Sequence, residues 1–506
     1  MNGDPTTRDL EAPAPQRDGV VRSLPALAAL GFGTLFLVPL TWFWYEIGDP
    51  WGPAVITGLA IGLFGVHVLS ARRRLDAADP VLWIPVLFLL FYFGMPIAIE
   101  FVGSSHVTNY DVWQVGIEPP KLRQAFMLAL LTIVALLFGI HLAGFRDHSR
   151  GPAGSGKDWP DLLVPGTLLT LLGLTMMVLG VIVVGPGTYF AHYDVVMDAR
   201  KFGGGDFRLV NVGSQFAPAG CYALLASHRP GRILPTLFAL GVLGMDSLLQ
   251  LGTGDRGSVL LMALSGAWVF SQRVRRLPFL LVLGGFLIGM MGGPIAGEYR
   301  KTKSLDLASQ AGVGQLLSST LVEMGSQLQV FCYTLEEIPK NKPYDWGLSV
   351  VDPIWELIPN PGLTAGRPRI TRFEEHHPGA WVTATANPEK FRTNIGGYGY
   401  AIGAEWYFNF GVPGVAIGMT LLGLVFGRVR NRARDGPLWL VWSALFMGML
   451  VLLVRNSLGA PLRTGVQPMV AIALITQGWY LFAGRAHVGA RPLPAAAHLR
   501  PDSERG

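Results

Sequence analysis

Charge is scarce in this chain. Asp, Glu, Lys and Arg make up 15% of its 506 residues, against about 25% in an ordinary soluble domain. Half of the residues are hydrophobic and mean hydropathy is +0.39. Together these exclude a soluble globular protein and point to a polytopic membrane protein. Cysteine is almost missing: Cys221 falls in an apolar run and Cys332 in a polar-flanked segment. Two thiols so placed argue against a structural disulfide and exclude a metal cluster built from cysteine alone. There is no Walker loop and no dinucleotide fingerprint, and Gly203, Gly204 and Gly205 read as a flexible turn. The first 20 residues are polar and lack the basic-then-apolar pattern of a cleaved signal. The excess of basic residues, +6 with a pI near 9.3, serves in a membrane protein to set orientation, so no nucleic-acid partner is expected.

What the chain does have is apolar runs of spanning length. They cover residues 24–44, 51–70, 81–101, 125–142, 162–184, 210–226, 233–251, 259–270, 277–295, 400–426, 438–454 and 464–482. The expectation is an all-α polytopic protein of about twelve transmembrane helices. Arg72, Arg73 and Arg74 follow the second run, Arg146, Arg150 and Lys157 the fourth, and Arg229 and Arg232 the sixth. Arg273, Arg275 and Arg276 follow the eighth, and Arg428, Arg430, Arg432 and Arg434 the tenth. Every one of these even-numbered runs ends at a basic loop, which puts both termini in the cytoplasm and the odd loops outside.

The expected organisation is a cytoplasmic tail 1–23, nine spans in 24–296, a large external loop 297–399, three spans in 400–484 and a disordered tail 485–506. In the large loop, Leu316, Leu317, Leu321, Met324, Leu328 and Phe331 recur at helical spacing. That predicts one or two amphipathic helices at the membrane face. Trp346 and Trp355 suit an interfacial position.

An external site without nucleotide machinery needs a substrate already activated on a lipid, such as a sugar on a polyprenyl diphosphate. It needs cations for the diphosphate, an acceptor for the attacking hydroxyl and an apolar groove for the lipid. Arg256, in LGTGDRGSVL, either contacts the diphosphate or pairs with Asp255 at a helix start. Arg300, in GEYRKTK, is a second cation or a headgroup anchor. Arg455 ends an apolar span with no acid nearby in sequence, and Asn456 adjoins it. Arg392 is similar and Arg200 weaker. Glu405, Glu323, Asp255 and the pair His376 and His377 are the base candidates. A carboxylate such as Glu405 at the edge of a span needs headgroup water, a partner or a task. Glu323 reads first as a solvated helix face, and the histidines as part of a polar loop. Glu46 and Asp49 share too short a turn to hold a metal, and Asp111 and Glu118 stand well apart. Neither metal nor other cofactor is expected.

Residues 392–428, RTNIGGYGYAIGAEWYFNFGVPGVAIGMTLLGLVFGR, form a Gly-rich lead-in, then AE, an aromatic segment, NFG and a Gly-rich membrane helix. With GPGTYFAHYDVVMDAR, TGDRGSVLLMAL and IPKNKPYDWGLSVVDPIWELIPNPG upstream, in that order, this resembles the Wzy-type O-antigen and capsule repeat-unit polymerases over roughly residues 185–426. The resemblance implies a GT-C-like glycosyltransferase of the bacterial inner membrane that joins polyprenyl-diphosphate-linked oligosaccharides on the external face. Its implied partners are the lipid bilayer, a chain-length regulator and a flippase. Arg256, Arg455 and Glu405 would be catalytic. Arg300, Arg392, Arg200, His376, His377 and Glu323 would bind substrate. In the related O-antigen ligases a loop histidine is implicated, but this loop does not match theirs closely and the role is not carried over. The alternatives are such a ligase, a transporter or flippase of lipid-linked sugars, and a non-catalytic assembly partner. The two halves of the chain are unlike, which disfavours a transporter.

Overall fold

The computed structural model describes residues 24–47, 53–71, 76–102, 119–144, 161–189, 206–252, 256–302, 313–358, 370–393 and 398–488. Among them every regular element is a helix. Each apolar run falls on one long helix. These are α1 (Leu24–Ile47), α2 (Pro53–Ala71), α3 (Pro80–Val102), α4 (Pro119–Leu142), α5 (Leu163–Val184), α6 (Asp206–Ala226), α7 (Leu234–Gly252), α8 (Arg256–Arg273) and α9 (Phe279–Thr302). Shorter helices follow: α10 (Val313–Gly325), α11 (Gln327–Glu337), α12 (Val351–Leu357), α13 (Phe373–His376), α14 (Pro378–Ala386) and α15 (Pro388–Thr393). Three long ones close the chain: α16 (Ile402–Arg432), α17 (Pro437–Leu453) and α18 (Gly459–Val488).

Five described stretches have both the length and the apolarity to cross a bilayer: Pro80–Ala98, Lys121–Leu142, Leu163–Val184, Leu234–Leu251 and Ile402–Arg432. Shorter apolar stretches lie in α1, α2, α9 and α17. Polar residues dilute the rest, for instance Asp206, Asn211 and Gln215 in α6, and Arg463, Thr464 and Gln467 in α18. Twelve long helices therefore stand where twelve spans were expected, and five of them carry a full spanning signal. Two expected boundaries move. α9 continues to Thr302 and α18 to Val488, because a helix closes its own backbone bonds and does not stop where apolarity stops.

Helix starts follow local chemistry. Asp79 Oδ1 accepts the Val81 N–H (3.1 Å) and Pro80 opens α3, an acidic cap with proline at the first position. Ring nitrogen Nδ1 of His377 accepts the Ala380 N–H (3.2 Å) and Pro378 opens α14.

α4 lies in the middle of the bundle, with Leu128, Leu131, Val134 and Leu137 fully buried. α16 packs along it through glycines. A methyl on Gly139 would lie 2.0 Å from the Thr420 carbonyl, and one on Gly423 2.2 Å from that of Leu136. Such backbone approach is how helices gain contact in lipid, where apolar side chains alone give no preference. α5 and α6 meet the same way, Gly173 against Ala217 and Gly220 against Thr170. The outer side of α5 exposes Leu171, Val178, Ile182 and Val183, a surface that water does not tolerate at this extent.

α10 and α11, expected at the membrane face, are built into the bundle. Gly94 of α3 leaves room for the Leu321 carbonyl, and Gly325 for the Met95 backbone. Phe331 is fully buried, its ring 5.1 Å from that of Tyr92. Their apolar stripe meets helices rather than lipid.

The ends of the bundle differ in chemistry. At one end Arg430 pairs with Asp79, and its Nη1 donates to Asn431 (3.1 Å). Asn431 Nδ2 donates to the Gly144 carbonyl (2.8 Å), and Ser271 donates to Asp76 (2.6 Å). At the other end, residues 345–349, 398–400 and 455–458 converge on the start of α16.

Candidate functional site

The start of α16 is shaped by NFGVPG. Gly411 adopts φ 67° and ψ −159° and breaks the helix. Pro413 offers no N–H to the Asn409 carbonyl four residues back. The freed carbonyls of Phe408 and Asn409 instead accept the backbone N–H groups of Asp345 (3.1 Å) and Trp346 (3.2 Å). The Asn409 side chain completes the seam. Its Oδ1 accepts the Gly347 N–H (2.8 Å), and its Nδ2 donates to Ser349 Oγ (2.8 Å) and to the Glu405 carbonyl (2.8 Å).

Glu405 is 2% exposed. Its Oε1 accepts from the Ser349 hydroxyl (3.1 Å) and its Oε2 from the Leu458 N–H (2.8 Å). One carboxylate thus joins the loop before α12 to the turn between α17 and α18. That turn is held a second time, by the Tyr400 N–H on the Arg455 carbonyl (2.8 Å).

Two cavities flank this seam. The first, of about 570 Å³, is walled by apolar side chains of α8 and α9, among them Val259, Leu260, Leu281 and Phe286. Its polar lining is Thr320 and Glu323 from α10, with Arg455 and Asn456 after α17. The second, of about 500 Å³, is polar and aromatic, lined by residues 341–346, Leu348, Glu374, Glu375, His376 and Trp381. Leu348 of the second cavity is next to Ser349, and Asn456 of the first is two residues from Leu458. Glu405 therefore ties the wall of one cavity to the wall of the other.

In the second cavity, Asp345 Oδ1 receives His376 Nδ1 at 2.7 Å and Lys342 Nζ at 3.2 Å. The Lys342 ammonium also sits 4.9 Å from the centre of the Phe408 ring. Arg372 donates to Glu375 (2.9 Å) and holds that carboxyl below the usual carboxylate range. Asp352 accepts the Ile370 N–H (2.7 Å) and the Thr371 hydroxyl, fixing the approach to α13.

The structure brings Arg455 and Glu323 to one cavity and His376 to the other. Glu323 is half-buried on the cavity wall, where a solvated face was one of its two readings. Arg256 opens α8, and the next residue, Gly257, lines the first cavity. The Arg256 side chain, like that of Arg300 near the end of α9, lies outside the described residues. So do Asp255 and Arg200. Arg392 is exposed on α15, away from both linings, and His377 caps α14. Sequence reasoning did not single out Asp345, Ser349 or Lys342. The available signal was Asp-Trp-Gly at 345–347, a turn dipeptide pattern around an acid.

Comparison with curated proteins and comparison with solved structures each returned no match. A family model described as O-antigen polysaccharide polymerase Wzy matches residues 55–480. That span takes in both cavities, the Glu405 seam, the whole of α3 to α17 and most of α2 and α18, and the chain belongs to the O-antigen polysaccharide polymerase Wzy family.

Proposed function

We propose that the chain polymerises oligosaccharide repeat units carried on a polyprenyl diphosphate, at the external face of the bacterial inner membrane and with both termini in the cytoplasm. The observation that carries this reading is the first cavity: an apolar groove whose polar lining brings together Arg455, Asn456, Thr320 and Glu323. A polyprenyl tail lies against α8 and α9, and the diphosphate meets Arg455, with Arg256 and Arg300 on the helices that wall the groove. A hydroxyl of the incoming unit attacks the anomeric carbon of the growing chain. The new glycosidic bond forms as the bond to the diphosphate oxygen breaks, the electron pair leaves with the diphosphate, and the hydroxyl proton is released. Negative charge grows on the diphosphate along this path, so a fixed guanidinium stabilises the transition state more than the ground state. Glu405 is a positioning residue here, holding the turn that carries Arg455.

The test is polymer on gels and protein by blot in cells carrying variants. Removal of one such donor costs roughly 3 kcal/mol, on the order of a hundredfold in rate. Arg455→Ala and Arg256→Ala are expected to leave single repeat units with the protein still in the membrane. The lysine variants keep the charge without the planar fork and retain a minority of activity. Full-length polymer from Arg455→Ala overturns the assignment. For Arg256, equal damage from Asp255→Ala with matching loss of protein returns it to a helix-start ion pair.

A further inference from the structure

The second cavity is not needed to hold a lipid or a diphosphate. Three carboxylates, Asp345, Glu374 and Glu375, stand against two permanent cations, Lys342 in the lining and Arg372 paired with Glu375, so the cavity disfavours phosphate and other anions. Its walls include three aromatic rings, Tyr344, Trp346 and Trp381. Carboxylate oxygens that accept hydroxyl protons beside aromatic faces that take C–H surfaces form the pairing of groups that a sugar ring offers.

Two features single out the cavity as a built site. Asp345 is 4% exposed, and its Oδ2 is buried with no hydrogen-bond partner, while Oδ1 takes both His376 and Lys342. A buried carboxylate oxygen left unpaired carries a desolvation penalty that a ligand hydroxyl would remove. Trp346 is 73% exposed and sits at φ 52°, a left-handed conformation that is unfavourable for a bulky side chain. Its backbone is held there by the Asn409 carbonyl, and Gly347 beside it is held at φ 90° by the Asn409 side chain. The fold maintains strain to keep an exposed indole on the cavity wall, against rings at 6.2 Å (Phe410) and 6.3 Å (Tyr344).

We propose that this cavity is a carbohydrate subsite that holds one neutral pyranose residue of the repeat unit, with Asp345 accepting its hydroxyls and Trp346 and Trp381 as apolar walls. The subsite rests on the polymerase reading for its ligand, and it acts on the sugar chain, independently of the lipid anchor.

The probe is the repeat-unit oligosaccharide released by mild acid from the lipid-linked pool of cells lacking the protein. Its binding to the full chain in lipid nanodiscs is measured by calorimetry. Wild type is expected to bind it, with Trp346→Ala and Asp345→Asn each weaker by tenfold or more. Trp346 is exposed, so its truncation leaves the fold intact and decides the matter if Asp345→Asn is poorly folded. Arg455→Ala is expected to bind the free oligosaccharide as wild type does while making no polymer. Unchanged affinity in Trp346→Ala, or no binding by a wild type that polymerises in cells, overturns the subsite and leaves the polymerase reading standing. Binding that depends on Trp346 in a protein that yields no polymer from lipid-linked units keeps the subsite and removes the polymerase reading.

Discussion

The Glu405 carboxylate meets a hydroxyl on one oxygen and a backbone amide on the other. Both contacts are buried hydrogen bonds, each worth about 0.5–1.5 kcal/mol net. A glutamine at this position offers its carbonyl to Leu458 and reverses the Ser349 contact, its amide donating to the hydroxyl oxygen, so the spacing survives and only the Ser349 hydroxyl loses its acceptor. Glu405→Gln is therefore expected to keep normal protein levels and a substantial share of polymer. Glu405→Ala leaves the Leu458 N–H and the Ser349 hydroxyl without an acceptor, and is expected to lower the melting temperature and polymer together. Loss of polymer from Glu405→Gln at normal abundance would instead place the charge in the chemistry. Sequence alone put Glu405 at the mouth of a span and left it headgroup water, a partner or a task; its burial decides against the first. Its partners were not legible, because Ser349 and Leu458 are 56 and 53 residues away and nothing local marks a serine or a backbone amide as the acceptor's match. Arg455 was legible for the opposite reason: a cation closing an apolar run without a nearby acid stands out in one dimension.

Among elements, α16 carries the most information per residue. Its apolar second half reads as a span, and its first half reads as a polar seam only once Gly411 is seen to leave helical geometry. A β-carbon at Gly411 would meet the Tyr344 hydroxyl at 3.0 Å, in a left-handed conformation. At φ 67° and ψ −159° the backbone lies in a region all but reserved for glycine, at a cost on the order of 1–3 kcal/mol for a residue with a side chain. Gly411→Ala is thus expected to lower thermal stability and loosen the loop that lines the second cavity, measured as a reduced melting temperature and faster proteolysis near residue 345. A variant as stable and as protected as wild type would remove the kink from the account. Helix positions were legible from apolar runs throughout. The depth of α10 and α11 was not, since a stripe of leucines at helical spacing serves lipid and neighbouring helices alike, and only the Gly94 and Gly325 contacts decide it.

For the whole molecule, the turns after α2, α4, α8 and α16 meet at one end of the bundle, and the seam with its two cavities lies at the other. If the basic loops are cytoplasmic, reporters fused after Arg74, Arg150, Arg232, Arg276 and Arg434 should read inside and one near Pro361 outside. A cytoplasmic signal at Pro361 would put the cavities on the wrong side for a lipid-linked donor. The alternation of basic loops was readable from the sequence, whereas the pairing of distant turns was not. Arg430 is one of the three arginines in the last turns of α16, yet it is 1% exposed, paired with an aspartate 351 residues earlier. The same side chain therefore serves at two moments. While the chain is being inserted, Arg430 is a cation that the translocation machinery can count. After assembly it is withdrawn from water and from headgroups alike. Asp79, made hundreds of residues before its partner, waits through most of synthesis without that guanidinium. The joining of the two ends of the chain is thus a late event in biogenesis, and a chain that stops short of residue 430 lacks the guanidinium that compensates the buried Asp79.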